Sequence, residues 1–244
     1  MASRLFTRIT LGFGGGLALG AALIAPISPA MAQRPPEKEA AKPIKIDPIQ
    51  HAQTITYAVD ADISHDPDNV LLLDLSNGGR VAIRLMPEWA PHHVERIKTL
   101  TKEGFYNGVI FHRVIEGFMA QTGDPTGTGQ GGSKLPDLSA EFNDIPHLRG
   151  TVSMARTEEP NSANSQFFIV FYPRFALDHK YTNFGRVIAG MDIVDSIVRG
   201  EPPKNPTKIV QASLASEGKA TPPPPAPAAP AAFTADMLSN SKSN

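Results

Sequence analysis

Residues 111–124 read FHRVIEGFMAQTGD, a run of alternating apolar and polar residues interrupted once, at Gly117. Strand periodicity puts Arg113 and Ile115 on one face and His112 and Val114 on the other. Beyond the glycine, Met119 and Gln121 share a face. An arginine, a glutamine and a thioether over apolar surface suit an open pocket with a few fixed donors. They do not suit a metal site or a nucleophile. Taken alone, the same stretch also reads as an ordinary sheet strand whose arginine leans into solvent.

Two later stretches carry comparable information: SMARTEEPNSANSQFFIV over residues 153–170 and LDHKYTNFGRV over residues 177–187. In order with 111–124 and the PTGTGQGG that follows it, they resemble the cyclophilins, the peptidyl-prolyl cis-trans isomerases, and most closely the short bacterial members. The resemblance spans roughly residues 68–214. It implies a mainly β fold, a closed eight-stranded antiparallel barrel capped by two α-helices, with the active site on the outer wall. By that resemblance Arg113 is the catalytic residue, and Phe118, Met119, Phe168 and Leu177 form the cup for a proline ring. Ile115, Gln121, Gln166 and Tyr181 join them around the substrate, and the backbone of Ala155 and Arg156 pairs with the extended peptide. Tyr181 stands where many members carry a histidine. Ala176 stands where many carry an aromatic at the pocket rim, with Phe175 one place earlier. The family is inhibited by cyclosporin, so weak cyclosporin binding is implied.

The residues themselves agree with this chemistry. In SQFFIV, alternation places Gln166 and Phe168 on one face and leaves Phe167 for the core. Rotation about an X-Pro bond must break amide resonance, at a barrier of roughly 18–20 kcal/mol, and makes or cuts no bond. Neither nucleophile, metal nor cofactor is needed. In the twisted state the imide nitrogen regains its lone pair, so a guanidinium aimed at it stabilises the transition state more than the ground state. His112 reads as a packed, hydrogen-bonded histidine on the opposite face, since no proton is transferred. The rival reading is a non-catalytic chaperone or scaffold that holds extended proline-containing segments in the same groove. A binder, however, needs no cation at the imide nitrogen.

Around this centre, the 244 residues carry a formal net charge of -1 and no cysteine. Bulk charge gives no sign of nucleic-acid binding, and disulfides and thiolate chemistry are excluded. Arg4 and Arg8 precede an uncharged, glycine-interrupted run from Ile9 to Ala25 and small residues at Ala30 and Ala32. These are the parts of a secretory signal peptide over 1–32, cleaved before Gln33, which predicts a periplasmic or secreted protein with no membrane attachment after cleavage. An uncleaved anchor is the alternative, weakened by five glycines in the run. Residues 33–53 read as an extended linker, 54–215 as one domain, and 216–244 as a disordered Pro/Ala-rich tail. The expected partners are proline-containing polypeptides, and the expected state is a monomer.

Within the domain, strands are expected at Thr54–Val59, Val70–Leu75, Arg80–Met86, Thr151–Arg156, Ser165–Phe171, Asn183–Ile188 and Pro206–Leu214, beside those of 111–124. Asn77-Gly78 signals a hairpin. One helix should start at Pro91, with His92 and His93 at a solvated start and Trp89 packing it on the sheet. A second should carry Met191, Val194, Ile197 and Val198 on one face. Gly127 to Gly132 forms a GxGxxG that neither follows a strand nor opens a helix, so it reads as a flexible loop beside the pocket rather than a dinucleotide fingerprint.

Overall fold

The computed structural model describes residues 57–223; the segments assigned above to a signal peptide and linker, 1–32 and 33–53, lie outside them. β1 (Val70–Leu75) and β2 (Gly79–Leu85) form the hairpin that Asn77-Gly78 signals, with Gly78 at φ 94°. Then come α1 (Pro91–Lys102), β3 (Arg113–Ile115), β4 (Met119–Thr122), β5 (Thr151–Met154), β6 (Phe167–Val170), β7 (Asn183–Ala189), α2 (Met191–Asp195) and β8 (Ile209–Leu214). The strands form one antiparallel sheet in the order β3-β4-β6-β5-β7-β2-β1-β8.

The sheet curls but does not close, which corrects the expected closed barrel. Its two ends, β3 and β8, share no ladder. The segment before β3 meets the start of β8 through an isolated bridge at Ile110–Lys208 and a few backbone bonds, among them Phe111 N–H to Thr207 O at 2.8 Å. The edge of β3 itself is taken by Gly200, which bridges to Val114.

Register decides which residues reach the outer wall. Arg113 pairs with Gln121, Gln121 with Phe168, and Phe168 with Ser153, so these four form one row across β3, β4, β6 and β5. The next row, Val114, Ala120, Ile169 and Val152, points inward and is fully buried in the main core. Phe167 sits in that core between Tyr106 and Phe184, with edge-on ring contacts at 5.6 and 6.1 Å. The two neighbouring phenylalanines of SQFFIV therefore serve opposite faces.

Several local expectations change. Tyr57–Val59 is not a strand, and the rest of the expected 54–59 strand lies outside the described residues. The chain that follows is drawn around the buried guanidinium of Arg84, which donates to the carbonyls of Asp60, Asp62, His65 and Asp66. α1 does not begin in open solvent. Its cap residue, Ala90, offers no side chain, and Glu141 fills that role from a distant loop. The Glu141 carboxylate accepts from the backbone N–H of His92 and His93 at 3.2 and 3.1 Å and from both imidazole Nδ1 atoms at 2.6 Å. His92 stays exposed, but His93 is buried. A carboxylate at a helix N-terminus is favoured by the exposed N–H groups and the helix dipole. Trp89 is buried with Met86 and Ile145. α2 stops at Asp195, short of Ile197 and Val198. There Ser196 Oγ donates back to Ile193 O, which Asn77 also contacts, and this side-chain competition ends the helix. The end of the domain runs past residue 215. A 3-10 turn at Ala215–Glu217 follows β8, and Arg80 and Gln211 donate to the carbonyls of Lys219 and Ala220.

The glycine-rich loop after β4 is wound around Asp124, a fully buried carboxylate. Asp124 accepts from the N–H and Oγ1 of Thr126, the N–H of Thr128, the N–H of Gly129 at 2.6 Å and the N–H of Gly131 at 3.1 Å. A Cβ at Gly131 would lie 2.2 Å from Asp124 Oδ1, so only glycine brings the backbone this close. The loop cradles its own aspartate. Burial pushes the carboxyl pKa up, but the Thr126 hydroxyl and the amides of Gly131, Thr126 and Gly129 outweigh it and hold the pKa at about 2, against an ordinary 3.8.

Two measurements follow from this packing. Phe167→Ala should lower unfolding stability by about 3–5 kcal/mol in urea titration, and Phe168→Ala, which opens outward, clearly less. For Asp124 the folded pKa lies below the unfolded one. Its contribution is therefore present above about pH 4 and lost as pH falls towards 2, about 2 kcal/mol in all. In Asp124→Asn, urea midpoints should fall at neutral pH, and the wild-type decline between pH 4 and 2 should flatten.

Candidate active site

The outer row of the sheet supplies one wall of the site. Gly117, at φ 66°, turns the chain between β3 and β4, which lets Arg113 and Gln121 stand side by side. Arg113 Nη1 lies 3.5 Å from Gln121 Oε1, at the outer limit of a hydrogen bond. The Gln121 amide donates to Gln166 Oε1 at 2.9 Å, and the Gln166 amide donates to the carbonyls of Gly131 (2.7 Å) and Gly129 (3.1 Å). Arg113 is thus joined through two glutamines to the loop that Asp124 organises. On its outer side, Arg113 Nε donates to Glu201 Oε2 at 2.7 Å.

Beside this polar line lies an apolar cup of about 100 Å³, lined by Arg113, Phe118, Met119, Gln121, Ala155, Arg156, Phe168, Leu177 and Tyr181. Met119 and Phe168, packed with Val170, form its buried floor, and Leu177 and Tyr181 form the far rim. The Tyr181 ring stands edge-on to Phe168 at 5.6 Å. The Arg156 guanidinium stacks on the Tyr181 ring at 4.8 Å and donates to the carbonyls of Lys180, Thr157 and Glu158, which stiffens the rim. A wider polar groove runs from Gln121 past Gly131, Ala155, Arg156 and Gln166.

The rim is anchored from beneath. Leu177 ends a 3-10 turn, Phe175–Leu177, and Asp178 just after it accepts from the N–H of His147 at 2.9 Å and from His147 Nδ1 at 2.8 Å. His147 Nε2 meets Ser153 Oγ at 2.9 Å, and Arg174 N–H donates to His147 O at 2.8 Å. A carboxylate at Nδ1 and a hydroxyl at Nε2 suit a neutral imidazole that carries its proton on Nδ1. Burial pushes its pKa down, outweighing the nearby Asp178. Ser, His and Asp are in hydrogen-bonding line here, yet Ser153 is fully buried beside Phe168 in the sheet, so the trio serves as a strut.

The structure brings Arg113, Phe118, Met119, Gln121, Ala155, Arg156, Phe168, Leu177 and Tyr181 together around one cup. Gln166 lines the adjoining groove, and Ile115 packs beside the cup against the Met119 cluster without lining it. The expected backbone pairing at Ala155 is narrowed, because its N–H already donates to Gln166 O. Phe175 is 63% exposed and does not line the cup, so it does not take the rim place left by Ala176. His112 is buried as expected, but neither ring nitrogen has a partner at hydrogen-bond distance among the described residues. Burial, and then the Arg113 charge, lower its pKa against the pull of Asp124 and the Gln166 side chain, which favours the neutral ring. Sequence reading missed Glu201, the His147–Asp178 strut and the role of Asp124. Only Asp124 had a local signal, an aspartate heading a Thr- and Gly-rich loop.

The comparisons with known proteins agree with this geometry. The family model for the cyclophilin-type peptidyl-prolyl cis-trans isomerases matches residues 71–214. A probable peptidyl-prolyl cis-trans isomerase of Brucella suis is 48% identical over 178 residues, covering 66% of this chain and 90% of that protein. A crystal structure of a cyclophilin from Hirschia baltica superposes with a TM-score of 0.58 at 33% identity, covering 62% of this chain and 76% of that one. A Cryptosporidium parvum cyclophilin-type isomerase, crystallised in the presence of the dipeptide Ala-Pro, gives 0.56 at 28% identity over 59% of this chain and 98% of that one. With the matched region running from β1 to the end of β8, the chain belongs to the cyclophilin-type peptidyl-prolyl cis-trans isomerase family.

Proposed function

We propose that the protein, a peptidyl-prolyl cis-trans isomerase, turns X-Pro bonds in extended polypeptides by holding the proline ring in the cup and presenting Arg113 to the imide nitrogen. The observation that carries this is the placement of a half-exposed guanidinium on the edge of an apolar cup. Phe118, Met119, Phe168 and Leu177 grip the ring, and the wider groove takes the chain on one side of it. Only the bond between them is left free to twist. Arg113 gains most when the nitrogen becomes pyramidal and its lone pair is exposed, so its stabilisation falls on the transition state. Gln121 holds the guanidinium from the pocket side. The presence of Ala-Pro with the Cryptosporidium isomerase supports a proline-containing substrate here. A charged donor beside the cup favours catalysis over passive holding, because a scaffold gains nothing from it.

We further infer export. Arg4 and Arg8, the uncharged run that follows and the small residues at Ala30 and Ala32 support a cleaved signal peptide, with clients that fold outside the cytoplasm.

Arg113→Ala should reduce kcat/KM on a short X-Pro peptide by about 10²–10³, the loss typical of one preorganised donor, with little change in the urea midpoint. Lysine should restore only part of it, lacking the fork. Because arginine keeps its charge and burial disfavours the charged form of His112, wild-type activity should be nearly flat from about pH 6 to 9. An alanine variant at normal turnover, or a bell-shaped profile abolished in His112→Ala, contradicts this mechanism.

Cyclosporin should bind weakly, because the rim place at Ala176 holds no aromatic. A buried indole anchor contributes roughly 2 kcal/mol or more, about 30-fold in affinity. Ala176→Trp should therefore tighten cyclosporin much more than it raises turnover. Equal affinity of both forms in calorimetric titration contradicts an open rim.

A further inference from the structure

The outer edge of β3 is covered by residues 199–201, and the covering has a fixed register. Val114 and Gly200 exchange both backbone hydrogen bonds, at 2.8 and 2.9 Å, as a directly opposed antiparallel pair does. Residue 201 then lies across from residue 113. Gly200 has φ 144°, and a Cβ there would stand 2.5 Å from Pro203 Cα, so glycine is required for the segment to lie down in this way. Two ion pairs of opposite polarity flank the Gly200 bridge: Arg113 Nε to Glu201 Oε2 at 2.7 Å, and Arg199 Nε to Glu116 Oε2 at 2.8 Å. A one-residue slip would break both. Arg199 is further tied to the carbonyls of Asp195 and Ile197 and stacks on Phe171 at 4.3 Å, so the segment is pinned to the body of the domain.

This bears on which edge of Arg113 faces the cup. A guanidinium offers an Nε edge and two terminal Nη groups in one plane. Glu201 takes the Nε edge from outside, and Gln121 stands near Nη1 on the inside. We propose that Glu201 is a positioning residue for the isomerisation: it fixes the plane of Arg113 over the cup without touching the substrate. The inference rests on the reading of Arg113 given above. Two effects oppose each other. A carboxylate draws off part of the positive charge that the twisted amide uses, but it also removes rotamer freedom from a long, half-exposed side chain. Both partners are about half exposed (43% and 50%), so water and salt screen the charge effect. Screening does not restore rotamer freedom, and orientation prevails.

The test compares wild type, Glu201→Ala, Glu201→Gln and Arg113→Ala on one X-Pro peptide, with kcat and KM resolved and urea midpoints as a control. Glu201→Ala should lower kcat about three- to fivefold, the factor an exposed pair of up to about 1 kcal/mol supplies, and leave KM nearly unchanged. Glu201→Gln, whose amide oxygen still accepts from Nε, should recover most of that loss. The Nε–Hε resonance of Arg113 in the ¹⁵N spectrum should be sharp in wild type and Glu201→Gln and broadened in Glu201→Ala. Alanine turning over as fast as wild type, a loss that glutamine does not recover, or an Nε resonance indifferent to residue 201 overturns the proposal. If Arg113→Ala is inactive in the same experiment, the catalytic reading of Arg113 survives that failure. If Arg113→Ala turns over normally, both fall.

Discussion

A carboxylate buried without charged partners, as at Asp124, is tolerable only if donors replace the water it has lost. The loop that follows β4 provides them, bending back so that successive amides point at the two oxygens. That bend leaves the carbonyls of Gly129 and Gly131 facing the other way, where Gln166 donates to both. With its amide nitrogen spent there, Gln166 has its oxygen left to receive Gln121, whose own oxygen then faces Arg113. Each amide side chain has one orientation that satisfies its neighbours, so the order propagates without slack. The arginine's setting therefore depends on a charge that never touches the site.

The opposite wall is built by different means. Leu177 and Tyr181 ride on a short turn rather than on a strand, and such a turn has few backbone bonds of its own to resist displacement. His147 supplies the missing stiffness, tying Asp178 on one side to Ser153 on the other. Since Ser153 is the last member of the row that begins with Arg113, both walls refer to the same strand register. Shifts of the rim and shifts of the donor wall are referred to one frame.

What could be read from the sequence was whatever alternation governs. The inward Phe167 and outward Phe168, the shared face of Arg113 and Ile115, and the glycine turn between β3 and β4 are all consequences of a period of two within a few residues. The cup followed because its parts sit on those strands or in the motif after them. What could not be read depends on partners distant in the chain. Glu141 caps a helix 49 residues earlier, and Glu201 reaches an arginine 88 residues away. The closed barrel failed for the same reason: whether β3 meets β8 depends on what else competes for the edge, and Gly200 takes it. The composition of Gly127 to Gly132 also hid what the loop is wound around: Gly131 lets the backbone pass close to Asp124, and the loop's amides donate to that carboxylate.

If Arg113 acts as proposed, the reaction gives a reason for such stiffness around a half-exposed arginine. Prolyl rotation moves no proton and transfers no group, so the catalyst has no nucleophile or base to tune. Its only means is a difference in interaction energy between planar and twisted amides. A donor that followed the substrate would bind both equally and leave the barrier unchanged. A donor held still gains only when the nitrogen lone pair swings towards it. On the same proposal the apolar floor of Met119 and Phe168 serves that end from the other direction, gripping the ring in either isomer and favouring neither. In the proposed mechanism the cup supplies binding and the held arginine supplies the discrimination. The network behind that arginine keeps the two contributions separate.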